Sequence, residues 1–300
     1  MKKKTYLFAL MAMVLTLGSC SDNENGIGGE TSKYITVSTS IGNMTRVATD
    51  AKGGQTFEEG DEISVYAWTG DATVAPETRE RVVNNAINKL TNGSWISNPQ
   101  MLWKNNRDKH YFIGVYPISA ISDLSAGEYT FDETKQVESD LLVAVNKDGL
   151  SYNVDEQQTV PLTFTHVMAK LAVNLTYKNQ WGGIPTVEKV VVGNAAKEAT
   201  INYLTKVVTP STTAKEDFSL PEITENTKYV SVIIPQEDVK QLTIVIGGKN
   251  FVYDNGTPFK LESGKITTVN LEVGRDEIKL GDVKITNWED GSTFSGEALN

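Results

Sequence analysis

The dominant pattern along this chain is short β-like runs, several of them alternating apolar with polar residues, separated by Gly, Asn, Asp and Pro. A period of two puts successive side chains on opposite faces of a strand, so the pattern predicts half-buried β-strands. In the first half these fall at Tyr34–Ser40, Ile63–Trp68, part of Val82–Ile96, His110–Pro117, Tyr129–Phe131, Leu141–Asn146 and Val160–Thr165. The stretch Glu77–Leu90 is the one candidate helix there. In the second half Ala169, Leu171, Val173, Leu175 and Tyr177 alternate with Lys170, Asn174, Thr176 and Lys178. Further strands are expected at Val187–Val192, Thr200–Leu204, Lys206–Thr209, Tyr229–Ile234, Leu242–Ile246, Phe251–Tyr253 and Ile266–Val273.

Turn chemistry supports this reading. Gly247-Gly248 joins two of the runs, where a two-residue hairpin demands positive φ, and Asp254-Asn255-Gly256 offers the same one strand later. About seven strands per half with regularly spaced turns predict an all-β fold of two tandem β-sandwiches, dividing near Thr165-His166. Past Val273, Glu277–Trp288 reads as an additional strand, either closing the second sandwich or serving another purpose. Ile278 and Leu280 precede Gly281 while Val283 and Ile285 follow it, so a bulge at Gly281 would shift the phase by one residue. Residues 289–300 are polar and rich in Gly and Ser, the composition of a loose tail.

The start of the chain departs from this pattern. Lys2-Lys3-Lys4, an apolar run from Tyr6 to Leu17 and then Leu17-Gly18-Ser19-Cys20 form a secretory signal too short to span a bilayer. It ends at the only cysteine of the sequence. Small residues before Cys20 suit a lipoprotein signal peptidase, and the Cys20 thiol would take a diacylglycerol, with palmitate among the acyl chains of the lipid. The alternative is an ordinary signal peptide with a chance cysteine. Acyl chains anchor at ~0.8 kcal/mol per buried CH₂, and stable anchoring takes more than one chain. Ser21-Asp22-Asn23-Glu24-Asn25 and Gly26-Ile27-Gly28-Gly29 follow. They resemble the surface-export signal of Bacteroidetes lipoproteins, although a plain disordered tether has the same composition. Residues 1–19 thus read as a lipoprotein signal peptide and 20–33 as a lipidated tether. Residues 34–165 form an N-terminal sandwich, and 166–300 a C-terminal sandwich with the extra strand and tail.

A net charge of −10 argues against nucleic acid or an anionic membrane face as partner. One cysteine and two histidines leave little material for a metal or redox site, and no cofactor is expected. No Gly-x-Ser-x-Gly elbow, His-Glu-x-x-His pair, Cys-x-x-Cys or phosphate-binding Gly-Lys loop occurs, so no catalytic residue is assigned. His110 and His166 lie far apart, and His166 reads as a satisfied histidine at the junction of the halves. Tyr66, Trp68, Tyr111, Phe112 and Tyr116 are expected to fill the first core. A competing reading makes Trp95, Trp103, Trp68 and Tyr66 an exposed aromatic platform for sugars, and their solvent exposure decides between the two.

Four motifs occur in order. They are Thr45-Arg46 with Phe57-Glu58-Glu59-Gly60-Asp61-Glu62-Ile63-Ser64-Val65-Tyr66; Tyr111-Phe112-Ile113-Gly114-Val115-Tyr116-Pro117; Glu138-Ser139-Asp140-Leu141-Leu142-Val143-Ala144; and Leu162-Thr163-Phe164-Thr165-His166-Val167-Met168-Ala169-Lys170-Leu171. With Ile285-Thr286-Asn287-Trp288 at the end, they resemble the fimbrillin (Mfa-like) family of Bacteroidetes type V pilus subunits. The resemblance implies transthyretin-like sandwiches and a non-enzymatic subunit of shaft, tip or accessory type, located at the outer-membrane surface and in the fimbrium. The implied partners are other pilus subunits, joined by strand addition, the outer membrane through the lipid on Cys20, and a host or bacterial surface ligand. In that family an arginine-specific protease removes the first strand together with the lipid, and the matching bond here is Arg46–Val47. The slot so opened is expected to include Ile63, Val65 and Ile113, and the candidate donor strand carries Ile278, Leu280, Val283, Ile285 and Trp288.

Overall fold

The computed structural model describes residues 33–42, 56–153, 158–254 and 256–288. The strands are β1 (Thr36–Ile41), β2 (Glu62–Thr69), β3 (Val83–Thr91), β4 (Ser94–Asn98), β5 (His110–Tyr116), β6 (Gly127–Thr130), β7 (Leu142–Leu150) and β8 (Thr159–His166). There follow β9 (Ala169–Tyr177), β10 (Val187–Ala196), β11 (Glu198–Asn202), β12 (Val207–Pro210), β13 (Lys215–Leu220) and β14 (Glu222–Thr224). The last are β15 (Lys228–Ile233), β16 (Gln241–Ile246), β17 (Lys249–Asp254), β18 (Lys265–Val273) and β19 (Ile278–Asn287). Among the described residues the sole helical piece is a 3₁₀ turn at Thr78–Glu80. The fold is all-β and of sandwich type.

The helix expected over Glu77–Leu90 does not form. The Glu80 carboxylate accepts the Glu77 amide (3.2 Å) and closes one turn, but Val82, Val83 and Ile87 then favour a pleated surface. Asn85 takes φ 55° where β2 and β3 slip register between Val65 and Ala67, so a bulge replaces the helical turn.

Seven strands share one sheet in the order β1-β8-β7-β5-β2-β3-β4. The sheet curls until its ends meet. The Ile35 amide donates to Met101 O (3.0 Å) and the Trp103 amide to Lys33 O (3.2 Å), which lays the segment after β4 alongside the start of β1. The interior holds Ile35, Val37, Ile63, Val65, Phe112, Leu162 and Phe164. Tyr66, Trp68, Ile113, Val115 and Val143 point the other way, into a second core built mainly by the later strands. Burial on both faces explains why β2 and β5 read as continuous apolar runs. The expected first aromatic core is therefore split: Phe112 fills the closed sheet with Tyr116 against it, while Tyr66 and Trp68 face outward with Tyr111.

The later strands form a four-stranded sheet, β13-β10-β16-β17, and a five-stranded sheet, β14-β15-β9-β18-β19, which bury Val190, Ile244, Leu171, Val232 and Val269 in that second core. A three-stranded sheet, β12-β11-β6, pairs β6 from the first half with β11 from the second. Strands β8 and β9 follow each other with Val167-Met168 between them, β8 pairing in parallel with β1 and β9 in parallel with β18. Gly247 (φ 58°) and Gly248 (φ 72°) make the hairpin between β16 and β17 that the sequence predicts.

Candidate functional site

The two candidate strands lie toward opposite ends of the chain. The first is β1. From Tyr34 into the strand the faces alternate: Ile35 and Val37 are buried, whereas Tyr34 and Ser38 are exposed. The remaining hydroxyls on its outward face meet those of β8, with Thr36 Oγ1 3.2 Å from Thr159 Oγ1 and Ser40 Oγ donating to Thr163 Oγ1 at 3.2 Å. Pairing with β8 is parallel over six residues, from Thr36 opposite Thr159 to Ile41 opposite Phe164, and the Gly42 amide extends it to Phe164 O (2.8 Å).

An aromatic box closes the far end of β1. The Phe57 ring meets Trp95 (5.3 Å), Tyr116 (5.3 Å) and Phe164 (5.1 Å), all edge to face. Trp95 Nε1 donates to Thr39 Oγ1 at 3.0 Å. Gly114 lies beneath Phe164, and a Cβ there would come within 2.6 Å of its ring, which gives this motif glycine its reason. Of the residues expected to line the slot, Ile63 and Val65 share the interior with β1, whereas Ile113 belongs to the other core because it occupies the opposite phase of β5.

The second strand is β19. It pairs antiparallel with β18 from Lys265–Asn287 to Val273–Ile278, and the register shifts at Gly281 as the sequence predicts. The shift puts Ile278 opposite Val273, Leu280 opposite Leu271, Val283 opposite Val269 and Ile285 opposite Thr267, so all four share the face turned to the core. Ile278 and Leu280 pack against that core, but Val283 (39 %) and Ile285 (37 %) stay substantially exposed. Its outer edge carries no further strand among the described residues.

Trp288, just beyond β19, is buried. Its ring stacks on His166, and Lys170 Nζ lies 4.1 Å from its centroid. His166 Nδ1 is 2.7 Å from Asp140 Oδ1. Burial pushes the Lys170 ammonium below its ordinary pKa while the Asp140 carboxylate pulls it back up. A polar cleft of about 380 Å³ opens beside the stack between Thr165, Lys206, Ser263 and Asn287, and Lys206 Nζ donates to Thr165 Oγ1 (3.0 Å). Cys20, Arg46 and Val47 lie outside the described residues.

The aromatic platform is overturned. Tyr66 (0 %), Trp68 (2 %) and Trp103 (8 %) are buried, and Trp68 Nε1 donates to Asp71 O (2.9 Å). Trp95 is half-buried against Phe57, so these four residues supply no pair of flat exposed rings for sugar stacking. Two parts of the site were missed from sequence. The Trp95–Thr39 contact depends on closure of the sheet, and the Trp288–His166 stack joins residues that no local pattern links.

The chain is similar in sequence to a protein named as fimbrium subunit Fim1C of Bacteroides uniformis, 24 % identical over 315 residues and covering 97 % of each chain. Among solved structures it is similar to a cell adhesion protein from Bacteroides uniformis (TM-score 0.63, 18 % identity), covering 86 % of this chain and 100 % of that one. A cell adhesion protein from Bacteroides ovatus gives TM-score 0.61 at 18 % identity, covering 85 % and 98 %. At these identities the structures speak for the fold. The profile of the fimbrillin-like family matches residues 45–288, most of the length, and the chain belongs to that family.

Proposed function

We propose that this chain is a non-enzymatic structural or tip subunit of a cell-surface type V pilus, built from sandwich modules at 34–165 and 166–300. In this reading it is exported as a lipoprotein through Cys20, displayed at the outer membrane, and cut after Arg46. A strand from another subunit then takes the place of β1.

The observation that carries the reading is the covalent position of β1. One connection, residues 43–55, joins it to the remainder of the fold, and Arg46 lies within that connection. A cut there detaches β1 and everything before it without breaking any other strand. The loss uncovers a slot of roughly 20 Å, at about 3.3 Å per residue, beside Val160, Leu162 and Phe164. It also frees the backbone groups of β8 that β1 had paired, which is the condition for strand addition.

The candidate donor, with Ile278, Leu280, Val283, Ile285 and Trp288, sits in its own ladder on β18. A subunit that keeps this strand receives without giving, the arrangement of a tip, and the buried Trp288 favours that position over a shaft. N-terminal sequencing of subunits recovered from assembled pili tests the reading: the expected first residue is Val47. An assembled subunit that still begins at lipidated Cys20 would refute it.

A further inference from the structure

We infer that Trp95 reads the strand that fills the β1 slot, favouring one that brings a hydrogen-bond acceptor to the place of Thr39. The inference rests on the strand replacement proposed above and specifies its partner.

Along β1 and the residue just before it the inward positions are Ile35, Val37, Thr39 and Ile41. The first two are buried (2 % and 6 %), and Ile41 packs against the same interior. The third position is different in kind. Trp95 arrives there from β4, at the other end of the sheet, and its indole N–H points at Thr39 Oγ1. Edge contact with Phe57 holds the ring, so the donor stays aimed at the slot whatever strand occupies it. An indole has one donor and no acceptor. A valine of the same shape at this place would leave that donor unanswered in a partly buried setting, which disfavours the strand carrying it.

The fourth position is read by the aromatic box. Ile41 lies opposite Phe164, whose ring touches Phe57, so an apolar side chain fits and a charge loses water without gaining a partner. The slot therefore selects apolar–x–apolar–x–acceptor–x–apolar in the direction parallel to β8. Strand β19 offers Ile278-x-Leu280-x-Asp282 and Val283-x-Ile285-x-Asn287, but Lys284 and Glu289 follow at the fourth position. The occupant is accordingly a strand of a different subunit, one with an acceptor at the third inward place and an apolar residue at the fourth.

The test uses the full mature chain, nicked after Arg46 or at a protease site placed across residues 45–48, with β1 washed out. Fluorescent peptides are titrated against it: Tyr34–Gly42 as it stands, the same peptide with Thr39→Ser or Thr39→Val, and a peptide of residues 281–289. The native and serine peptides are expected to bind alike, the valine peptide about tenfold more weakly, and the 281–289 peptide more weakly than the native one. On Trp95→Phe protein the threonine and valine peptides should become equivalent. If that variant does not fold, the peptide series on unaltered protein decides alone. Equal binding of threonine and valine peptides to unaltered protein, or tighter binding of 281–289, overturns the inference and leaves strand replacement standing. Failure of every peptide, the native one included, overturns strand replacement itself.

Discussion

Trp288 lies flat on His166, with ring centroids 4.1 Å apart and planes 8° from parallel. The pair is separated by most of the second half of the sequence, yet it pins the end of the C-terminal strand to the end of β8. Trp288→Ala removes a buried indole and is expected to lower stability by roughly 3–5 kcal/mol, with Trp288→Phe costing less. In a double-mutant cycle His166 and Trp288 should couple by about 0.5–1.5 kcal/mol. Urea unfolding gives both values, and hydrogen exchange should show β19 amides opening earlier in Trp288→Ala. An unchanged exchange pattern would mean that the stack does not hold the strand.

Gln136 does the work of a missing strand. Its Oε1 accepts the Val232 amide (2.7 Å) and its Nε2 donates to Ser231 Oγ (3.1 Å), while Glu133 from the same loop accepts the Ser219 amide (2.9 Å). The loop between β6 and β7 thus covers polar groups of two second-half strands. Gln136→Ala leaves the Val232 amide without its acceptor and should cost about 1–3 kcal/mol by urea unfolding, with faster exchange at Val232.

Gly114 sets the depth at which Phe164 packs. Gly114→Ala forces the ring away from the position where it meets Ile41 and Phe57, with an expected cost of about 1–3 kcal/mol. Because the displaced ring also faces the β1 slot, binding of the native β1 peptide to nicked protein should weaken in parallel. Full binding with lowered stability would separate the two effects.

Three turns share one design. Asp71 accepts the amide and hydroxyl of Thr73, Asp123 those of Ser125, and Asp132 those of Thr134. The donors hold each carboxyl below its ordinary pKa. A carboxyl depressed in the folded state contributes stability that is present above its unfolded value and lost as pH falls through the folded one. Thermal unfolding should therefore be insensitive to these groups above the unfolded carboxylate value, about pH 4, and turn downward below it. The triple variant with Asn at positions 71, 123 and 132 keeps the acceptors without the titration and should show a shallower acid limb.

The parts legible in the sequence are those fixed by short-range alternation and by backbone sterics. Strand β9, the Gly247-Gly248 hairpin and the bulge at Gly281 follow from period two and from residues that tolerate a turn or an extra position. Strand β13 escaped because Lys215-Glu216-Asp217 opens it at a sheet edge, where only Phe218 and Leu220 are buried and no alternation is required. The Glu77–Leu90 stretch misled because its charged start is helical in character while its continuation is half-buried and β-branched. Trp95 meets Thr39 only because the sheet closes on itself, and Trp288 meets His166 only through the order of strands in two sheets. Such contacts depend on pairings between distant segments, which a single sequence does not record.

The two-residue link from β8 into β9 has a mechanical consequence. A pull on the strand seated beside β8 passes along the covalent backbone from Thr159 to Tyr177 and leaves through β18. Each partner lies parallel to the strand it pairs with, so load along either ladder slides neighbouring strands past each other in shear. Six pairs on one side and eight on the other must then fail together, whereas a hairpin pulled at its open end unzips one rung at a time. Tension on a filament built from such subunits would be borne along the strands and spread across the whole ladder.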